Sequence, residues 1–218
     1  MKLTKDMCEL IGSIIGDGNI YDKKPYYVEI TGDSKLDEEY HTRLCNICIK
    51  QLRYSPKIKF RAGAIRTRIN KKEFVLWLKE LGIPVGAGKF CTVMIPAQIL
   101  HQQKLLIPCI RGIFDTDGCV SFDFRKTYKK PYVRIVLHMY NPNLLKQIHQ
   151  CLEKLKVNST LSIKKEFLYI NGEDATKKFL GKIGLSNPRH TFKLAKHYPN
   201  LFKINIAPVA QSGRALAS

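Results

Sequence analysis

Two aspartates a hundred residues apart are the side chains of this sequence best placed to do chemistry. Residues 10–18 read L-I-G-S-I-I-G-D-G and residues 110–118 read I-R-G-I-F-D-T-D-G, so Asp17 and Asp117 each close an apolar helical run. Small residues lie four apart on one face of each run, Gly12 with Gly16 and Gly112 with Thr116. Two such helices can pack with their backbones unusually close. That packing would bring Asp17 and Asp117 together at one end of a shared seam, with Gly18 and Gly118 expected to terminate the helices. Carboxylates held this close repel each other unless divalent cations sit between them, and cations placed there can meet phosphate oxygens.

The elements that must hold such a pair are legible as a duplication. The sequence K-K-P-Y occurs at 23–26 and again at 129–132, each time followed by strand-like alternation. Ile69-Asn70 is answered by Ile170-Asn171, and L-K-E-L-G-I at 78–83 by L-G-K-I-G-L at 180–185. The offsets are 100, 106, 101 and 102, the mark of one repeated unit with small insertions. Within a unit the pattern is helix, two strands, helix, two strands, helix. The expected fold class is α+β, two pseudo-two-fold-related αββαββα units with antiparallel sheets and a central two-helix interface. The first unit spans 1–100 and the second 101–206, and 207–218 is expected to be a disordered tail because it lacks periodicity and carries small residues.

Among 218 residues, 37 Lys plus Arg face 18 Asp plus Glu, a formal charge of +19. A polyanionic partner is implied, nucleic acid before an anionic membrane. Apolar stretches are broken well before the roughly 18–20 residues that a span needs, so no membrane partner is expected. Residues 1–100 hold 17 basic and 11 acidic side chains, and 101–218 hold 20 and 7, so the second half is expected to grip the polyanion harder. The start carries acids and no signal-peptide pattern, which favours an intracellular protein, in prokaryotic cytoplasm or nucleoid or in an organelle. Seven cysteines show no paired-knuckle spacing. Cys45 and Cys48 form a C-x-x-C on an expected helix and read as buried thiols.

Strand alternation assigns faces. Val133, Ile135, Leu137 and Met139 should point inward, and Tyr132, Arg134, Val136, His138 and Tyr140 outward, giving one apolar and one largely polar face. Ile58 and Phe60 should likewise be inward, with Lys57, Lys59 and Arg61 outward, and Arg66 and Arg68 opposite Ile65, Thr67 and Ile69. This outward inventory suits phosphate contact and base-edge hydrogen bonding. Arg125, Lys129, Lys130, Lys164 and Tyr169 join the candidate nucleic-acid contacts. Residues 34–52 and 143–155 read as the covering amphipathic helices, with Ser34 and Asn141-Pro142 as start signals, while Pro96, Pro108, Pro188 and Pro199 punctuate connections.

With both Asp-Gly motifs and the strand pattern after each, the sequence resembles a LAGLIDADG homing endonuclease of the single-chain, two-motif type. The resemblance covers roughly residues 5–200, departing at Ile15, where the motif's sixth-position acid would stand. It implies metal-assisted phosphodiester hydrolysis, with Mg²⁺ bound by Asp17 and Asp117 and the carbonyls of Gly16 and Thr116. It further implies saddle-shaped sheets in the major groove of double-stranded DNA, one strand cut by each unit across the minor groove, and short 3′ overhangs. A monomer acting on a long asymmetric target is expected. Asn187-Pro188-Arg189-His190-Thr191-Phe192-Lys193 resembles archaeal, intron-encoded members, which makes Lys193 the candidate for polarising water in the second unit. Lys89 is its first-unit alternative, since Val93 occupies a place that is often basic. His138 matches the family's polar water-holding position, with Glu29 as its partner in the first unit. An intron-RNA maturase or a non-catalytic DNA-binding regulator are the alternative functions that the resemblance allows.

Overall fold

The structure, a computed structural model, describes residues 1–86, 88–126 and 130–205. Lys129 and the tail 207–218 therefore lie outside the described residues. In the first unit α1 (Lys5–Ile15) leads into β1 (Gly18–Tyr21), β2 (Tyr27–Asp33), α2 (Glu38–Leu52), β3 (Lys57–Arg61), β4 (Ala64–Ile69) and α3 (Lys72–Glu80). Two short helices, α4 (Lys89–Thr92) and α5 (Ala97–Leu100), precede the second unit. That unit comprises α6 (Gln103–Asp117), β5 (Gly118–Asp123), β6 (Tyr132–His138), α7 (Pro142–Lys154), β7 (Thr160–Ser162), β8 (Phe167–Asn171), α8 (Gly172–Lys182) and α9 (Pro188–His197). Each unit has one antiparallel four-stranded sheet, in the order β1-β2-β4-β3 and β5-β6-β8-β7.

Local chemistry explains the helix starts. The Thr4 hydroxyl accepts the Met7 N–H at α1, and the Asn141 side-chain Oδ1 accepts the N–H groups of Asn143 and Leu144 at α7, where Pro142 is preset for the first turn. Ser34 does not start α2. The Asp33 carboxylate takes the N–H groups of Lys35 and Leu36 in a turn, and the helix begins four residues later at Glu38. Nor does Pro108 punctuate a connection, because it lies inside α6 and is buried. Gly118 follows α6 in extended backbone, whereas α1 is closed by Gly16 rather than Gly18. Gly18 and Gly118 are needed for closeness, since a Cβ would stand 2.5 Å from the Ile14 oxygen in one and 2.2 Å from the Phe114 oxygen in the other.

Helices α1 and α6 cross at the centre, and a continuous apolar cluster joins both units around them. A Cβ on Gly12 would sit 2.1 Å from the Cys109 carbonyl oxygen, and one on Gly112 would sit 2.2 Å from that of Glu9. Backbone meets backbone there, with no flexible side chain to give way. Gly12→Ala and Gly112→Ala should each cost at least about 1–3 kcal/mol through overpacking, read as a lowered midpoint in thermal unfolding. An unchanged midpoint would mean that the seam is looser than this geometry. Next to the glycines, buried Glu9 takes Arg43 at 2.7 and 3.0 Å and Arg111 at 3.3 Å, tying α1, α2 and α6 together. Burial works to raise its pKa, but those two guanidinium groups hold it below the ordinary carboxylate value.

Alternation holds along β2, β4 and β6, whose inward residues are buried, Thr67 included. It misleads at β3. Ile58 is 37% exposed and Phe60 58%, because β3 is the sheet's edge and the covering helices stop short of it. All seven cysteines are free, and burial raises the thiol pKa of both Cys45 and Cys48. Among the described residues no helix is long and apolar enough to cross a membrane.

Candidate functional site

The close crossing of α1 and α6 delivers the motif ends to one place. A Cβ on Gly16 would stand 2.1 Å from Thr116 Oγ1 and 2.5 Å from Asp117 Oδ2, so the absence of a side chain at Gly16 is what lets the two ends meet. Asp17 and Asp117 interact directly through their side chains. Burial raises the Asp117 pKa first and the charge of Asp17 raises it further, while Lys89 and Arg189 pull it down. Asp17 presents surface to solvent, yet crowding by surrounding protein raises it too, against the pull of Arg189 and Lys89. Asp117 Oδ2 is buried with no hydrogen-bond partner.

Lys89, the first-unit candidate for polarising water, is buried at 5% exposure. Its Nζ donates to the carbonyls of Ile14 at 2.7 Å and Ile15 at 2.9 Å, and lies 3.4 Å from that of Gly16. It therefore neutralises the open C-terminal end of α1. Burial pushes its pKa down to about 8, with Asp117 and Asp17 opposing the shift. The second unit does the same with Arg189, whose Nη2 donates to the carbonyls of Asp115 at 3.2 Å and of Thr116 at the end of α6. Lys193 does not fill that role. It lies on the exposed side of α9, with Nζ 3.4 Å from the Val120 carbonyl and 3.7 Å from Cys119 Sγ. The signal that would have found Arg189 was already in the sequence, since Lys89 and Arg189 stand the same 100 residues apart as the two aspartates.

Arg189 is aimed by a buried network. Asp115, the sixth-position acid absent from the first motif, accepts the N–H groups of Ser186 and Asn187 at 3.0 Å. Asn187 Nδ2 donates to Asp37 at 2.7 Å, and Arg189 Nη1 donates to the same carboxylate at 3.1 Å. Asp37 belongs to the first unit, so each unit helps to hold the other's connection: reciprocally, Asn141 of α7 donates to the Val93 carbonyl at 2.6 Å and Gln147 accepts from Ile95 N–H at 2.8 Å. Burial, and then the charge of Glu9, pushes Asp115 up to about 7.

His138 lies at the motif end of β6, since Gly118 pairs with its neighbour Leu137. Gly18 pairs with Ile30, so the corresponding first-unit position is Thr31, and Glu29 is two residues displaced. Glu29 is moreover held by Arg68 at 2.7 Å and approached by Arg66 at 3.7 Å, which assigns it to the sheet face.

The open face of the first sheet carries Lys57, Lys59, Arg61, Arg66 and Arg68 together, as the register requires. The second sheet's open face carries Tyr132, Arg134, His138 and Tyr169, with exposed Tyr140 just beyond β6. Lys164 is exposed in the turn after β7, Arg125 is paired with Asp123, and Lys130 is paired with Glu173 of α8. The second half's larger charge is thus not concentrated on its sheet, for much of it lies on α7, α8 and α9.

Known proteins place this arrangement. Residues 106–184 match the family model of the LAGLIDADG-like domain. The chain is similar to the homing endonuclease I-DmoI solved in complex with DNA and Ca, at 21% identity and a TM-score of 0.55, covering 84% of this chain and 91% of that one. It is also similar to the homing endonuclease I-WcaI bound to its DNA recognition sequence, at 17% identity and a TM-score of 0.57, covering 90% and 87%. The fold is that of the LAGLIDADG homing endonucleases. An uncharacterized protein of Methanocaldococcus jannaschii is 26% identical over 173 residues, which are 78% of this chain and 61% of that protein, so the chain spans less than two thirds of that relative. In this LAGLIDADG fold the two motif helices are α1 and α6, and the carboxylate pair lies between the two sheets.

Proposed function

We propose that this protein is a site-specific double-strand DNA endonuclease of the homing type, using Mg²⁺ to hydrolyse phosphodiesters at a long asymmetric site and leaving short 3′ overhangs. The observation that carries the reading is the Asp17–Asp117 pair, whose carboxyls are both raised by burial, with the charge of Asp17 raising Asp117 further, and whose Asp117 Oδ2 is buried and unpartnered. Hard oxygen donors of this kind suit Mg²⁺ or Ca²⁺. Among the described residues no group of three or more His, Cys, Asp and Glu could hold a metal, so the remaining ligands would be carbonyls, water and phosphate. The carbonyls of Gly16 and Thr116 are the nearest by sequence, although Lys89 approaches the first and Arg189 occupies the second. A bound divalent cation supplies activation of water and stabilisation of charge at phosphorus.

The chain's own residues do the rest. Asp17 and Asp117 fix where the cation can sit, at the line between the units. Lys89 and Arg189 hold positive charge beside each helix end, where negative charge develops on the phosphate, and their hydrogen bonds to main-chain carbonyls preset that position. The sheet faces orient the duplex across the seam.

Incubating the full chain with Mg²⁺ and a duplex library, then capturing the new ends, should yield paired breaks with 3′ extensions at one site, abolished by chelation. Breaks that persist in EDTA, or none at all, would defeat the proposal. The two cations also predict strand bias. Lys89→Met and Arg189→Met should each slow one strand's cleavage by about 10², so that nicked DNA accumulates with the opposite strand cut in the two variants. Equal slowing of both strands would contradict one cation serving each centre.

A further inference from the structure

The two sheets occupy equivalent places in the duplicated fold, so their open faces can be compared position by position through the strand registers. Anchoring on Gly18 and Gly118, Glu29 of β2 corresponds to Val136 of β6, and Thr31 to His138. Their neighbours follow: Glu29 pairs with Arg68 where Val136 pairs with Tyr169, and Thr31 pairs with Arg66 where His138 pairs with Phe167. On the outer strands, Lys57 opposite Arg68 becomes Thr160 opposite Tyr169, and Lys59 opposite Arg66 becomes Ser162 opposite Phe167. Four cations on the first face are thus exchanged for two aromatics and two hydroxyls on the second, and the acid between them for a valine.

Side-chain order reinforces the contrast. Arg68 is buttressed twice on the first sheet, by Glu29, which takes its Nε and Nη2 at 2.7 Å, and by the Tyr27 ring, whose centroid lies 4.2 Å below the guanidinium. Glu29 binds the Nε–Nη2 side of the guanidinium, which leaves one end-on N–H on each Nη as the fork for a ligand. Beside it, Arg66 Nε is buried with no hydrogen-bond partner, a feature that Arg134 Nε of the second sheet shares, so the contrast rests on the Arg68 fork and on the residues exchanged. A held guanidinium fork is the side chain that best matches the O6 and N7 acceptors of guanine in the major groove. On the second sheet the rings of Tyr140, His138, Phe167 and Tyr169 form a continuous row at centroid spacings of 5.2, 4.5 and 5.5 Å. Arg134 and Lys165 share a depression of about 290 Å³ with Ser162, Tyr169 and Asn171, so cations for phosphate contact stand beside the aromatic row. An apolar face in the major groove finds its complement in the thymine C5-methyl group.

Resting on the reading of the protein as a duplex-DNA endonuclease, we infer that its target is chemically unequal across the cut, with a guanine-bearing half read by Arg66 and Arg68 and a thymine-rich half read through methyl contacts by Val136, His138, Phe167 and Tyr169. The half-sites are therefore not a palindrome blurred by drift. They follow two different readout chemistries installed at equivalent positions of one fold.

The test is selection of bound sequences from a random duplex library by the full chain, in buffer with Ca²⁺ in place of Mg²⁺. The expected consensus has guanines on one side of its centre and a thymine-rich run on the other. Arg68→Gln, checked for an unchanged thermal midpoint, should weaken discrimination by about 5- to 150-fold at guanine positions and leave the thymine run intact. Substituting deoxyuridine for thymine removes only the methyl and leaves the protein untouched. It should weaken binding by about 4-fold per contacted methyl in the thymine half and by nothing measurable in the other. Guanines equally frequent on both sides, relaxation of the thymine half by Arg68→Gln, or indifference to deoxyuridine would each overturn the inference while leaving DNA binding in place. A selection that enriches no sequence would remove the endonuclease reading and the inference with it.

Discussion

Asp17→Asn and Asp117→Asn should each abolish double-strand cleavage, leave specific DNA binding largely intact, and in the case of Asp117→Asn raise the stability of the metal-free protein. The three outcomes share one cause. The carboxyls are crowded together at a seam whose packing is fixed by Gly12, Gly16 and Gly112; burial raises both above the ordinary 3.8, and the charge of Asp17 raises Asp117 further. For an acid raised in the folded state, the folded chain binds more protons than the unfolded chain between the unfolded and folded pKa values. Stability is therefore full below that window, falls as pH rises through it, and stays reduced above it. At pH 8 without metal, replacing the Asp117 carboxylate by a neutral amide removes this penalty. After allowance for solvent screening the gain is about 1–2 kcal/mol, or about 2–8 °C in the thermal midpoint for a chain of this size. Mg²⁺ should raise the midpoint of the native protein and leave that of the double variant unmoved. Binding should persist because Lys57, Lys59 and Arg61 lie on the sheet face rather than at the seam. Thermal unfolding, gel shift and cleavage assays on the same preparations would check this. A variant that lost activity and also lost stability would point to a structural role for the pair instead.

A residue set against the stability of the resting protein and proposed for its chemistry fits a common pattern at functional sites, and it bears on what the sequence could reveal. The duplication and the seam were legible because close backbone contact accepts few residue types, so glycine at a four-residue spacing is a strong constraint. Sheet faces were legible wherever a helix covers one side, since period-two alternation then has a reason to exist. At β3 that reason disappears, and Ile58 and Phe60 obeyed the alternation without being buried. Side-chain reach was harder. Lys193 and Arg189 lie four residues apart on α9, near the same segment, but only Arg189, at the helix start beside Asn187 and Asp37, is directed to the end of α6. Glu29 read as a site residue through the family's water-holding position, as the partner of His138, while the register that displaces it by two residues depends on the length of the β1–β2 turn. Asp37 gave no signal, because the side chains it helps to aim, Asn187 and Arg189, lie in the opposite unit.

Binding should weaken steeply with salt, and the loss should come unequally from the two sheets. Each phosphate neutralised contributes about 0.9 to the slope of log K against log salt, so six to ten contacts would reduce affinity by on the order of 10³–10⁵ between 50 and 200 mM salt. The charge count by halves assigns the larger share to the second unit, but the geometry reverses it at the sheet. Lys57, Lys59 and Arg61 line the exposed edge of the first sheet, and none of the three forms an ion pair with an acid among the described residues. The corresponding edge of the second sheet offers Thr160 and Ser162, and Lys130 is paired with Glu173. Lysines on α7 and α8 cannot compensate, because those helices pack against the covered side of the second sheet. Lys57→Gln, Lys59→Gln and Arg61→Gln should therefore each lower the slope by close to one, whereas Lys177→Gln and Lys178→Gln on α8 should leave it unchanged. Titrations of binding at four or more salt concentrations would measure both sets. Equal effects from the sheet and helix variants would mean that the duplex runs over a surface other than the paired open faces, and a flat dependence would mean that these cations meet no phosphate at all.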